Sequence, residues 1–509
     1  MFSDTHTVSA FPFLDHKCLG IVQSVQGSIL RCLLLASLAA GFQTNAFSLL
    51  GPRAVWMTRS LGYELYGIPG GPMNVGDEYR WNLPEITYGF DRSFTDYFGE
   101  RGVAEVEKAV MTLNAALTTP EVALSSYPLS AAQHNSVGAV SSLLDLGSTA
   151  LAALLEQLGL ASPEADVFCL RDRFDGSPSA QYAVVFRNFD PYTAQPSTSV
   201  NGTQFTYRIV PDFGGTNIAH AVTLAVDPLA PLFSSVAGSF ARAPMTGLFF
   251  KGLSRDDVAG LRYLHSSDNL NWESLPRGMD WQTAGGGQPV LAALRPGVGT
   301  VRFKRVFLQS QAGQRVFHTF TDRYSSNGVL SQQRVTRSIS APDITFSARD
   351  LGPYVMVDRT VGARANNGVN AGAEGPGVIE PGGVITFNKV GPIYVNSAPP
   401  FTEQDSGYYA GGWGSFDDSS ERPFKYPAPA SAAAKPATTL KISDEPQPDG
   451  SRALVWQFIG TPGHPYRIYA SEDLQLWEPI RTVSGTDGRF EFRQAETVGT
   501  TQVFFRLAE

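Results

Sequence analysis

Cysteine is almost missing: three occur in 509 residues, and two of them, Cys18 and Cys32, fall within the first 46 positions. With that segment removed, Cys169 stands alone and an internal disulfide is excluded. Its setting, Asp-Val-Phe-Cys-Leu, is apolar and predicts a small buried hydrophobe rather than a nucleophile. Charge is sparse too, with Asp, Glu, Lys and Arg at 17% and a formal balance of -8. A nucleic-acid partner needs a basic face to displace counterions, and no dense Lys/Arg run supplies one. After residue 46 no apolar run approaches the roughly 20 residues of a membrane-spanning helix, which excludes an integral helical membrane protein in the mature chain. The common catalytic signatures are also missing: no Gly-x-Ser-x-Gly elbow, no phosphate loop, no dinucleotide glycine fingerprint and no EF-hand loop occurs.

What is present is apolar and turn-rich. Hydrophobic residues make up 43% and aromatics 11%, enough to offset chain entropy, while 50 Gly and 34 Pro supply turns between short runs of Val, Phe, Tyr and Thr. The length predicts two to four units with separate cores.

The first 46 residues read as a secretory signal peptide. From Ile29 the chain runs Ile-Leu-Arg-Cys-Leu-Leu-Leu-Ala-Ser-Leu-Ala-Ala-Gly-Phe and then Gln-Thr-Asn-Ala, a short apolar core followed by a small-residue cleavage site at Thr44 and Ala46. Met1 to Gln26 carry only Lys17 as a strong base, unlike an n-region, so translation is expected to start downstream, near Val25. The expected address is exported: periplasmic, cell-surface or extracellular.

Three regions are expected beyond the leader. Residues 47–275 read as an α+β domain: a strand within Trp81–Phe90, then a helix after Gly102 with Val103, Val106, Val110, Leu113 and Leu117 on its inner face and Glu105, Glu107 and Lys108 largely outside it. A second helix is predicted over Ser148–Leu158, ended by Gly159, and a third begins at Ser254 with Asp257 as capping partner. Residues 276–425 read as a β-rich, all-β middle region with Val301–Leu308, Arg315–Asp322 and a hairpin at Asn327-Gly328 in a meander. Whether those strands fold alone or extend the first domain's sheet is left open by the sequence. Residues 426–437, Tyr-Pro-Ala-Pro-Ala-Ser-Ala-Ala-Ala-Lys-Pro-Ala, read as a linker, and 438–509 as a small C-terminal β-sandwich.

Two resemblances follow. Pro465-Tyr-Arg-Ile-Tyr-Ala-Ser-Glu-Asp-Leu-Gln-Leu-Trp477, with Val503-Phe-Phe-Arg, resembles the C-terminal fibronectin-like or immunoglobulin-like modules of exported multi-domain bacterial proteins, over about 70 residues. It implies an accessory unit for the cell surface or for secretion. Pro84-Glu-Ile-Thr-Tyr-Gly-Phe-Asp with the following helix, and then Gly252 to Leu264, is similar to matrixin-like zinc peptidases. That family's two His four residues apart, with a Glu beside the first, are absent. The resemblance would put His220 near the place of the metal helix, with Ala and Val where the base and second ligand belong. Weak candidate metal ligands in that zincin-like reading are His220 and His265.

Aromatics suggest other candidates. Ser406-Gly-Tyr-Tyr-Ala-Gly-Gly-Trp-Gly-Ser-Phe416 reads as either a ligand-stacking cluster, with Tyr408, Tyr409 and Trp413, or a packed loop. Trp477 is a further candidate, or a core aromatic. The acidic pairs Asp256-Asp257 and Asp417-Asp418 read as a helix start and a loop. The expectation is an exported, non-catalytic structural or binding protein, with no cofactor and a cell-envelope or extracellular polymer or protein as partner. One alternative is a secreted, divergent zinc-dependent peptidase holding Zn; another is a carbohydrate-binding protein.

Overall fold

A computed structural model describes residues 46–63, 70–176, 179–212, 217–231, 233–239, 246–276, 280–283, 286–306, 316–326, 328–352, 355–365, 377–389, 412–417, 422–427, 440–446, 452–459, 466–471, 478–484, 489–495 and 504–508. Within them the protein is mixed α and β with many small sheets. Its centre is a six-stranded sheet of β1 (Tyr79–Arg80), β2 (Glu85–Phe90), β3 (Arg302–Arg305), β4 (Ile344–Arg349), β5 (Val357–Ala365) and β6 (Gly377–Asn388). The order is β3-β2-β4-β6-β5, with β1 on β6; β5 runs antiparallel to β6 and the other pairs are parallel.

This topology answers the open question about residues 276–425. Their strands β3, β4 and β6 join β2 and β1 from the first segment, so the sheet crosses position 275. The register is Arg302 with Glu85 and Ile344 with Tyr88. The expected meander is corrected accordingly: Arg302–Arg305 pairs in parallel with β2, while Val316–Ser326 and Val329–Ile339 form a long antiparallel hairpin in a separate five-stranded sheet. Parallel strands buried on both faces lack alternation, and Ile-Thr-Tyr-Gly-Phe in β2 is such a run. Gly328 turns the hairpin at φ 77°.

Helix α1 (Arg92–Leu117) lies on this sheet. Asp91 caps it by accepting the Phe94 N–H at 2.9 Å, and Gly99 breaks it with φ 62°. The first half plants Phe94 and Phe98 on an aromatic wall, Phe94 with Phe90 and Phe387 at 5.1 and 5.8 Å between ring centres, Phe98 with Phe387 at 5.8 Å. Each fully buried ring of this kind contributes about 1.5–3 kcal/mol relative to exposure. The second half buries Val103, Val106, Val110, Leu113 and Leu117, as the spacing predicts. Glu105 and Glu107 are a correction: both are buried, because the start of the next helix covers Glu105 and two arginines from distant strands cover Glu107.

Helix α2 (Leu146–Leu158) packs on α1 and is buried nearly all round. Gly159 ends it at φ 107°, where a side chain would also overlap the Tyr79 carbonyl. Helix α3 (Arg255–His265) has the predicted capping box at Ser254 and Asp257 and buries Val258, Leu261 and Leu264. Cys169 is buried, its Sγ 3.4 Å from the Asp166 carbonyl.

Two hairpins, Phe168–Phe174 with Gln181–Phe186 and Thr203–Val210 with His220–Ala225, pack together around small clusters of their own. Near the C-terminus, six strands make two three-stranded antiparallel sheets, Leu440–Pro446, Arg452–Ile459 and Arg489–Ala495 in one, Tyr466–Ser471, Glu478–Val483 and Phe504–Ala508 in the other. Phe458, Tyr466 and Phe490 meet between them, with Phe458 stacked on Phe490 at 4.9 Å. The expected linker is corrected at its first residue: Tyr426 is 1% exposed and ends the strand Phe424–Tyr426, paired with Gly412–Ser415. Residues 428–437 of that linker, and 1–45 of the leader, lie outside the described residues.

Candidate functional site

The residues singled out from sequence do not converge. His220 opens the strand His220–Ala225 opposite Val210, half-buried. The sequence leaves strand or helix open for residues 217–226, and the structure takes the strand, not the metal helix that the peptidase resemblance would put near it: Thr203–Val210, rich in β-branched and aromatic side chains, offers a full antiparallel partner. His265 is the last residue of α3 and only 2% exposed. Neither ring nitrogen has a hydrogen-bond partner among the described residues. Burial first, and then the charge of Arg80, push its pKa down to about 3, so the imidazole is neutral at any ordinary pH. Among the described residues, no group of three or more His, Cys, Asp or Glu is arranged to hold a metal ion.

Trp413 is a core residue. It is 3% exposed, its Nε1–H donates to the Asn388 carbonyl at 2.8 Å, and its ring meets Phe387 and Phe98 edge-on. Its candidacy for ligand stacking is corrected, since no ring face reaches solvent. Tyr408, Tyr409 and Trp477 lie outside the described residues.

Three arrangements that sequence reasoning missed stand out instead. The first is an acidic cluster at the start of α3. Asp256 and Asp257 are each 1% exposed, with Glu164 from the short helical turn Pro163–Asp166 beside them. Asp257 accepts N–H groups of Val236, Ala237 and Ser254 at 2.8–3.0 Å, and Glu164 accepts those of Ser234 and Ser235 at 2.7–2.8 Å. Asn201 ties the group together, donating its N–H to Asp256 at 2.6 Å and its side-chain amide to Ser234, Ser235 and Ser254. Burial raises the pKa of all three acids, against the lowering effect of these hydrogen bonds. Among the described residues no Lys or Arg donates to any of them. The only hint in the sequence is the density of Ser and Asp at 234–235 and 254–257.

The second is a buried clamp. Arg305 of β3 donates to Glu107 of α1 at 2.5 Å and to the Tyr469 hydroxyl at 2.8 Å, while Arg467 donates to the other Glu107 oxygen at 2.6 Å. Arg467 also reaches the Glu100 carbonyl at 3.3 Å. One carboxylate thus joins α1, the central sheet and the C-terminal pair of sheets. The spacing of Glu107 on a helix gives no sign of it, because its partners lie 198 and 360 residues away.

The third is an aromatic ledge on the paired hairpins. Phe168 is buried, and Phe186 and Tyr207 flank it with ring centres at 5.3 and 4.7 Å. Those two are 39% and 43% exposed. Alternation along Thr203–Val210 puts Phe205 inward and Thr206 outward, but both faces of so small a sheet stay accessible, which leaves Tyr207 half in water. The acidic cluster and the clamp are suited to holding elements in place, and of the three arrangements the ledge is the one with rings exposed to a ligand.

No protein family, no curated protein and no solved structure matches this chain.

Proposed function

We propose that this chain is an exported, non-catalytic binding protein of the cell envelope or extracellular space, carrying a C-terminal β-sandwich of immunoglobulin or fibronectin type. The observation that carries the reading is the aromatic ledge: two half-exposed rings, Phe186 and Tyr207, each packed against a buried Phe168. Rigid aromatic faces supply contact area at low entropic cost, which suits stacking on an extracellular polymer or protein. The sandwich reading draws support from the two antiparallel three-stranded sheets meeting at Phe458, Tyr466 and Phe490. The clamp at Glu107 supports a platform in which that module is held firmly. Export draws on the apolar run from Ile29 and the small residues at Thr44 and Ala46.

The test is retention of purified protein on a panel of polysaccharides and envelope fractions. Substituting Phe186→Ser and Tyr207→Ser together is expected to weaken retention roughly 10- to 100-fold, from about 0.5–1.5 kcal/mol per lost ring contact; since both rings also pack on Phe168, retention is compared under conditions where circular dichroism shows the variant folded. Equal retention of parent and double variant defeats the binding reading. Stoichiometric zinc with chelator-sensitive peptide cleavage defeats the non-catalytic one.

A further inference from the structure

The long hairpin of Val316–Ser326 and Val329–Ile339 turns one face to the core and the other to water. Asp322, Val335 and Arg337 are buried on the inner face. Alternation therefore puts Thr319, Thr321 and Arg323 outward on the first strand and Gln332, Arg334 and Thr336 outward on the second, all of them exposed or half-buried. Directly opposite residues share a face: Thr319 meets Thr336, their hydroxyls 2.7 Å apart, Thr321 meets Arg334, and Arg323 meets Gln332. Arg323 and Arg334 are thus diagonal neighbours, about 7–8 Å apart. Among the described residues neither guanidinium closes a hydrogen bond or an ion pair. The acids of this five-stranded sheet stand elsewhere. Glu273 and Asp322 are buried on the inner face, and Asp280 lies opposite Ser338, four residues along from Arg334, roughly 13 Å. A chain with a formal balance of -8 carries here a cationic strip on an open sheet face. Exposed rings bound the strip. Phe317, 64% exposed, stands at one end; at the other, Ser325 pairs with Leu294 and Leu294 with Trp272, which is 38% exposed.

We infer that this face binds an extended, carboxylate-bearing polysaccharide, with Arg323 and Arg334 on the uronate carboxylates, the Thr and Gln side chains on sugar hydroxyls, and Trp272 and Phe317 against sugar rings at the two ends. The inference rests on the reading of the chain as an exported binding protein, and gives it a second surface on a different sheet from the ledge. A guanidinium presents a planar fork that matches a carboxylate with two parallel hydrogen bonds. Two like charges side by side without a counter-charge repel, and an anion lying between them removes that cost. The hydroxyl and amide groups beside them both donate and accept, as a sugar chain requires. From Phe317 to Ser325 the strip runs eight residues, about 27 Å, which is long enough for several consecutive sugars. A bilayer fits less well. Pressing rows of Thr and Gln into hydrocarbon would leave them without partners, and the large apolar side chains stand at the ends of the strip instead of forming one patch.

The experiment measures the affinity of the purified full chain for polygalacturonate by titration calorimetry. Three comparison ligands are the same polymer fully methyl-esterified, polyglutamate, and phosphatidylglycerol vesicles. Polygalacturonate is expected to bind roughly tenfold or more tightly than each of them. Arg323→Gln with Arg334→Gln, at two exposed positions, is expected to weaken that binding roughly tenfold and to leave the urea midpoint unchanged. Arg59→Gln with Arg92→Gln removes the same charge from two exposed positions elsewhere. That variant and the ledge variant, Phe186→Ser with Tyr207→Ser, are each expected to change the affinity by less than about twofold. Equal binding of the ester, of polyglutamate or of the vesicles overturns the inference. So does an arginine variant that binds as the parent does, or an equal loss on removing Arg59 and Arg92. A parent that ignores polygalacturonate but is retained by another polymer through the ledge overturns this inference and leaves the binding reading standing. Retention on no polymer at all overturns both.

Discussion

At the scale of single residues, the indole of Trp413 decides between two uses of an aromatic. Its Nε1–H is satisfied by the Asn388 carbonyl, and its ring is wedged among Phe98 and Phe387. Truncation removes the ring contacts, opens a cavity and orphans a buried carbonyl. Trp413→Ala is therefore expected to cost about 3–5 kcal/mol in urea unfolding, and to change ligand retention only as far as it unfolds the protein. A loss of retention with full stability would contradict this placement. A Gly- and aromatic-rich stretch reads the same from sequence whether it folds outward or inward, because exposure depends on what lies across from it. Here the covering surface is α1 and β6, encoded more than 300 residues before it in one case and about 25 in the other.

At the scale of elements, some helix ends were legible, while the start of α1 at Arg92, ten residues before the expected Gly102, and the helix surroundings were not. The N-cap at Ser254, the stop at Gly159 and the apolar stripe of α1 are local signals, and each appears where the spacing places it. Glu107 sits on the same helix and was expected outside, yet it holds Arg305 and Arg467. The clamp makes a sharp contrast available. Glu107→Gln removes the nearest negative partner of two buried guanidinium groups, leaving Arg467 the Glu100 carboxylate at 3.9 Å, and is expected to cost about 3 kcal/mol. Replacing all three together by apolar residues of similar volume (Glu107→Leu, Arg305→Met, Arg467→Met) is expected to cost less, because both guanidinium groups go with their shared carboxylate and only the part-exposed Glu100 loses an ion pair. Chemical denaturation of the two variants measures the difference, and equal losses would show that the pairing is not what holds these elements together.

Across the whole molecule, buried acids and one buried imidazole pull stability in opposite directions with pH. Asp145 caps α2 through the Ser148 N–H and also accepts the Phe416 N–H at 2.9 Å. Burial nonetheless raises its pKa from 3.8 to about 6. The folded state thus binds its proton more tightly than the unfolded chain, and the associated stability is present below pH 4 and lost as pH rises through 6. His265 runs the other way: with its pKa lowered from 6.5 to about 3, its share is present above pH 6.5 and lost as pH falls toward 3. Asp145→Asn is therefore expected to make stability rise more steeply with pH between 4 and 6 than in the parent, by about 3 kcal/mol over the window at about 1.36 kcal/mol per pH unit. His265→Gln is expected to tilt the same profile toward a fall with rising pH. Parallel profiles for parent and variants, measured by urea unfolding at several pH values, would refute both assignments.

The sequence by itself determined what is local or additive in this protein: the composition of a folded, turn-rich chain, the absence of a disulfide framework beyond the first 46 residues, the apolar stripes of three helices with the caps at Ser254 and Gly159, and most of the C-terminal strands. These depend on neighbours within a turn or a strand, so a short window contains their cause. The tertiary structure alone decided which strands share the central sheet, which acids are buried, that His220 stands on a strand, and that Phe186 and Tyr207 present their faces while Trp413 hides its own. Parallel pairing such as β2 with β3 joins residues more than 200 positions apart. Burial of a charge is set by whatever arrives from the other end of such a connection, and no spacing along the chain records it.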